Sequence, residues 1–153
     1  MVFWLYVVTI VVEALLTGNE FAIGAFIHPM LSRLDTGTHV RSVQAIGRRY
    51  GSVMPFWMVG LLLLEVALLF EVEPRWQGAW TWAAVSAGLL LVVLVFSAVG
   101  PAPINTRVTK WDPEQLPEGW EKDRALWDKM HAVRVIILIA SLAALVVSAM
   151  DRV

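Results

Sequence analysis

The stretch GAWTWAAVSAGLLLVVLVFSAV, residues 78–99, decides the fold. It runs through two interfacial-type tryptophans into a long aliphatic core without a single formal charge. At about 1.5 Å of rise per residue, a helix of this length spans the roughly 30 Å of a bilayer's hydrocarbon. Working outward, three further apolar runs of similar character lie at about Val2–Ile27, Val53–Phe70 and Val133–Met150. The whole chain is 58% hydrophobic and only 16% charged, against about half and about a quarter in soluble domains. Four spans use up the 153 residues. The expected fold is therefore an all-α, four-helix transmembrane bundle forming a single integral membrane domain over residues 1–153. The first run lacks a basic leading region and a small-residue cleavage site, so it reads as a retained span and not a signal peptide.

Charges outside the spans set the expected orientation. The first connection carries Arg33, Arg41, Arg48 and Arg49, and the third carries Arg107, Lys110, Lys122, Arg124 and Lys129. The second has only Arg75, beside Glu71 and Glu73, and the C-terminal tail only Arg152. Basic connections favour the cytoplasmic side, which puts both termini outside, with a bacterial inner membrane as the expected location. Trp4, Trp76, Trp80 and Trp82 would mark the outer interface, and Trp111, Trp120 and Trp127 the inner one. Within the first connection, Val40, Val43 and Ile46 recur at helical spacing after Thr36 or Thr38 as a cap. This predicts a short surface helix, ended by Gly51 and Ser52, with Pro55 in the first turn of the second span. Gly100, Pro101 and Pro103 should end the third span. The turn-rich stretch from Thr109 to Gly119, flanked by Trp111 and Trp120, is expected to lie along the inner surface as a partial lid.

Polar side chains return repeatedly to that inner side. At about 100° per residue, Glu13, Thr17, Glu20, Gly24 and His28 share one quadrant of the first span. A charged residue at mid-bilayer costs at least about 2.5 kcal/mol, so this stripe should face the bundle interior. Glu65 on the second span should lie near the depth of Glu13, where two carboxyl groups would share a proton or cation as readily as serve a structural role. Asn105 and Arg107 follow the third span. Trp127, His131, Arg134 and Leu138 share a face of the fourth. Arg134 is deep enough to need a partner, and Glu20 and the Asn105 carbonyl are the candidates; the plainer alternative is snorkelling to the interface. His39 belongs to a solvated loop. The net charge of −1 gives no electrostatic footprint for nucleic acid. The absence of cysteine excludes disulfides, thiolate metal sites and thiol nucleophiles.

These residues carry a resemblance. Gly24-Ala25-Phe26-Ile27-His28-Pro29, Pro103-Ile104-Asn105, and the W-x-x-x-H-x-x-R run from Trp127 through His131 to Arg134 together resemble the anthrone oxygenase-like family of small four-span membrane proteins. The resemblance implies a four-helix membrane bundle and oxidation of anthrones to anthraquinones without flavin or nicotinamide. By position it marks His28, Asn105, Trp127, His131 and Arg134.

Three functions stay open on the sequence. The first is an oxygenase or oxidoreductase acting on an apolar, phenol- or anthrone-like substrate. There His28, Asn105, His131 and Arg134 would be catalytic, Trp127, Glu20 and Arg107 would bind substrate, and no cofactor would be required. An imidazole titrates near working pH and suits proton abstraction; Arg134 and Asn105 would stabilise the resulting enolate. The second is a metal or haem redox protein, with His28, His131 and Glu20 holding copper, iron or zinc, or the two imidazoles holding haem. The third is a non-enzymatic lipid-binding or assembly component. The expected partners are a hydrophobic small molecule or lipid and the membrane, with room for an oligomer.

Overall fold

Asp35 starts the longest helix. In the computed structural model, which describes residues 1–72 and 77–151, its carboxylate accepts the Thr38 N–H at 3.0 Å, supplying the side-chain acceptor that a helix N-terminus lacks. That hydrogen bond holds the Asp35 carboxyl below its ordinary range. The elements in order are α1 (Val2–Ala22), a π-helical turn (Ile23–Ile27), α2 (His28–Leu31), α3 (Thr36–Glu71), α4 (Gln77–Val99), α5 (Pro101–Val108) and α6 (Trp120–Met150). Four helical segments, Val2–Leu31, Thr36–Glu71, Gln77–Val108 and Trp120–Met150, are long and apolar enough to cross a membrane. The protein is an all-α four-helix bundle of the integral membrane class. Glu73, Arg75, Trp76 and Arg152, on which part of the orientation and aromatic-belt argument rests, lie outside the described residues.

Each long helix packs on its sequence neighbour, and α6 closes the ring on α1. Leu16, Met58, Leu61, Leu90, Val93 and Leu138 form the central apolar layer. One end is sealed by Tyr6, Leu68, Val72, Ala79 and Leu145, so the start of α1 and the end of α6 sit together there. The opposite end is sealed by Ile23, Leu31, Val43, Ile104, Val108 and Trp127.

The first connection differs from the expectation. The surface helix and second span are one helix of 36 residues, α3, which runs unbroken through Gly51, Ser52 and Pro55. Its cap is Asp35, neither Thr36 nor Thr38. Glycine lowers helix stability by only about 1 kcal/mol. Ser52 sends its hydroxyl back to the Arg49 carbonyl at 2.8 Å, and the i−4 residue whose carbonyl Pro55 would crowd is the side-chain-free, exposed Gly51. At about 1.5 Å per residue α3 is roughly 54 Å long, so it runs on past any hydrocarbon layer instead of folding over.

Gly100 does end α4, but helix resumes at once in α5, with Pro101 in its first turn. The segment after it is ordered by α3: Gln44 Nε2 donates to the carbonyls of Val108 (2.9 Å) and Trp111 (2.8 Å), and Arg41 pairs with Glu114 at 2.9 Å. Gly119, at φ 79°, makes the left-handed step into α6. No residue of 110–119 lines either cavity beside His28. This segment buttresses the base of the bundle instead of lying over a site as a lid.

Candidate functional site

Pro29 shapes the helix that carries the first imidazole. It has no N–H to offer Ala25, and the hydrogen-bond ladder slips by one residue across Ile23–Ile27, with the His28 N–H reaching the Ile23 carbonyl. The wider π turn absorbs one extra residue and leaves His28 on the face that carries Glu13, Thr17 and Glu20. All four side chains are buried, as the shared-quadrant reading anticipates.

Glu20 on α1 meets α6 at two points. Its carboxylate pairs with Arg134 Nη2, and its backbone carbonyl accepts from His131 Nε2 at 2.9 Å. Arg134 Nη2 also lies 2.9 Å from His131 Nδ1, and Nη1 is 3.5 Å from Ser97 Oγ. A guanidinium only donates and a carbonyl only accepts. His131 is therefore the neutral tautomer with the proton on Nε2, and both of its ring nitrogens are committed. The residue is 2% exposed, deeper than its place near the start of the fourth apolar run suggests. Its ring stacks on Trp127, centroids 4.7 Å apart at 13°. Gly24 makes this possible: a Cβ there would stand 2.9 Å from His131 Cδ2.

His28 has a different environment. Its Nδ1 lies 3.1 Å from Asp128 Oδ1, which also accepts from Arg124 Nη2 at 3.0 Å; sharing that oxygen brings the guanidinium within 3.3 Å of Nδ1. With Nδ1–H donating to this carboxylate, Nε2 is the lone-pair nitrogen. His28 and Trp127 centroids are 4.7 Å apart, and Arg124 lies over the Trp127 ring at 5.0 Å.

Two cavities adjoin these groups. The larger, about 600 Å³, lies among α1, α3, α4, α5 and α6. Glu20, His28, Asn105, Trp127, His131 and Arg134 all contribute to its wall, and Ile23, Ile46, Met54, Met58 and Leu94 give it an apolar side. A second, about 590 Å³, opens between the α1–α2 region and α6, with His28, Asp128 and His131 on its wall. His28 and His131 thus stand between the two.

Six of the seven residues singled out from the sequence therefore meet at one cavity. Arg107 does not. Pro101, Ile104 and Val108 form the buried stripe of α5, and Arg107 falls off it, exposed and doubly hydrogen-bonded to Asp123 at 2.7 and 3.0 Å. Asp128 and Arg124 are site residues that were not singled out from the sequence, where Arg124 counts only among the charges of the third connection. Their spacing of four on a helix, flanking Trp127, is the signal that could have found them. Trp127 is buried at the site instead of marking an interface. Both imidazoles, His28 and His131, pack against its ring at 4.7 Å.

The proposed metal set does not fit. His131 has no lone pair to give, Glu20 is held by a guanidinium, and among the described residues no three His, Asp or Glu side chains gather as a metal-holding group. Haem fits no better. Both ring nitrogens of His131 are already engaged, and Trp127 packs against the His28 and His131 rings at 4.7 Å.

Further along the bundle, Glu13 and Glu65 are buried together, with interacting carboxyl groups. Ser86 Oγ donates to the Ser141 carbonyl at 3.0 Å and lies 3.3 Å from the Glu65 carboxyl. This layer ties α3, α4 and α6 together and lines neither cavity.

A family model described as anthrone oxygenase matches residues 44–144, about two thirds of the chain. The match takes in Asn105, Arg124, Trp127, Asp128, His131 and Arg134, and begins after Glu20 and His28. No curated protein and no solved structure matches. The chain belongs to the anthrone oxygenase family.

Proposed function

We propose that this protein is a membrane-embedded oxygenase that converts the activated methylene of an anthrone-like phenolic polycycle into a carbonyl, with dioxygen as co-substrate. One observation carries the reading. His28 is oriented by Asp128 at 3.1 Å and stands in the wall of a largely apolar cavity, as a positioned general base requires.

His28 Nε2 takes a proton from the methylene carbon, and the resulting enolate is held by Arg134 and Asn105. The electron-rich carbon reduces dioxygen and forms a C–O bond to it. Loss of the second methylene hydrogen as a proton, with cleavage of the O–O bond, leaves the carbonyl and releases the other oxygen atom in water. The methylene has lost two hydrogens and gained one oxygen, and dioxygen is fully consumed. Glu20 keeps Arg134 in place. His131, with both nitrogens committed, acts as a positioning residue.

The test is dioxygen uptake and quinone absorbance with a hydroxylated anthrone and purified protein, corrected for spontaneous oxidation. The native protein should accelerate both, and His28→Gln should lower the rate by about 10²–10⁴-fold. No acceleration by the native protein would overturn the proposal in favour of a binding or assembly role.

A further inference from the structure

The larger cavity has a buried floor and an exposed edge. Glu20, Ile23, Trp127 and His131 form the floor, and all four are buried. Gly51, Pro55 and Val59 on α3 line the same cavity and are exposed, as are Ala98, Ala102 and Thr106 on α4 and α5. On each side these residues recur about every fourth position, which keeps them on one face of their helix. They are the two edges of a slot between α3 and the α4–α5 pair. The slot is pinned at one end, where Gln44 Nε2 holds the carbonyls of Val108 and Trp111. A Cβ on Gly47 would there touch Thr109 Cγ2 at 4.0 Å, whereas one turn further on a Cβ on Gly51 would meet nothing within 4 Å. The edges therefore part within a single turn. Arg48 stands by the pinned end. Pro55, Val59 and Ala98 lie in residues 53–64 and 78–99, which hold no formal charge. An opening along those stretches faces lipid chains and not water.

We infer that this slot is the doorway by which an apolar, planar ligand passes between the bilayer and the cavity, with Gly51 and Ala102 setting its width. The inference goes beyond the chemistry at His28 and rests on the larger cavity being the substrate site. An apolar polycycle gathers in the membrane because water expels it, and a sideways entrance lets it reach the floor without crossing water. The second cavity is the competing route. It also reaches His28, and Phe21, Ile136 and Ile139 on its wall are exposed. It does not include Asn105 or Arg134, which line the larger cavity. Gly51 and Ala102 belong to the edge and not the floor, so they act on passage and not on the bound complex. A narrower doorway raises one barrier that entry and exit share. Association and dissociation then slow by the same factor and Kd does not move. A residue that touches the bound ligand changes Kd instead.

Native protein and variants in phosphatidylcholine vesicles that already hold unsubstituted anthraquinone test this without turnover. Titration of tryptophan quenching gives Kd, and its relaxation after a temperature jump gives the two rates. Gly51→Leu and Ala102→Leu should each slow association and dissociation by about tenfold, with Kd held within about twofold. Gly51→Ala should slow them less. Nothing stands in the way of a side chain at Gly51, and leucine favours helix over glycine, so Gly51→Leu should not melt below the native protein. Ile136→Trp, on the wall of the second cavity, should leave both rates as they are. Native rates in both leucine variants, a loss of affinity in place of the matched slowing, slowing by Ile136→Trp instead, or no saturable quenching in the native protein overturns the doorway. Matched slowing in a protein that does not accelerate anthrone oxidation would sustain the doorway and sink the oxygenase. Oxidation with rates indifferent to the slot would do the reverse.

Discussion

His131 gives its Nε2 proton to the backbone carbonyl of Glu20, 2.9 Å away on another helix, and this bond separates the two buried imidazoles by role. A side chain that ties α6 to the backbone of α1 and accepts from Arg134 has nothing left for a substrate. His28, with one nitrogen oriented by a carboxylate, does.

The first prediction concerns that division. His131→Gln cannot reproduce both bonds with the same planar reach, and each buried partner left unsatisfied costs about 1–3 kcal/mol. The variant should melt several degrees below the native protein in detergent, whereas His28→Gln should melt close to it. A native-like melting curve for His131→Gln combined with abolished turnover would make His131 the base.

Gly24 offers an indirect handle on the same ring. An alanine methyl would stand 2.9 Å from His131 Cδ2, and the ring cannot retreat without losing its hydrogen bonds or its stacking on Trp127. Gly24→Ala should lower both thermal stability and turnover, although it adds only one carbon and favours helix. Gly18, where nothing stands within 4 Å of the same methyl, supplies the control: Gly18→Ala should be neutral or slightly stabilising. Equal behaviour of the two variants would show that the approach of His131 is not limiting.

The Glu20–Arg134 pair should behave as a buried ion pair. Removing one partner leaves the other charge uncompensated, at a cost of about 3–5 kcal/mol, while replacing both with apolar residues is often near neutral. Glu20→Gln and Arg134→Met should each destabilise strongly, and Glu20→Leu with Arg134→Met should recover much of the loss while remaining inactive. Additive destabilisation in the double variant would argue that the two side chains do not depend on each other.

Orientation can be read directly because the chain has no native cysteine. Single cysteines at Gly37, before the basic half of α3, and at Gln77, at the start of α4, should label from opposite sides of the membrane, with Gln77→Cys reacting from outside. Labelling of both from one side would reverse or break the proposed topology.

Much of the fold was legible because membrane burial writes itself into long uncharged runs such as residues 78–99. The site was legible to the extent that polar residues in those runs had to face inward: Glu20, His28, His131 and Arg134 do converge. Gly51, Ser52 and Pro55 misled because breaker residues are weak local signals, and here an exposed glycine, a back-bonding serine hydroxyl and tertiary packing outweigh them. Arg124 and Asp128 were missed because charge next to an apolar run looks like a solvated interface. Only the continuation of α6 back to Trp120 brings them into the protein. Arg107 was over-read for the opposite reason: its place in the chain is right, but its angle on an eight-residue helix is not visible until the buried stripe of that helix is known.

The π turn at Ile23–Ile27 has a consequence for where His28 stands on its helix. One surplus residue in a helix changes neither the number of spans nor their order, yet it shifts the angular phase of everything after it by about 100°. Here the shift carries His28 from one edge of the face that bears Glu13, Thr17 and Glu20 to the other. The place of that imidazole is held by helical phase as much as by sequence identity.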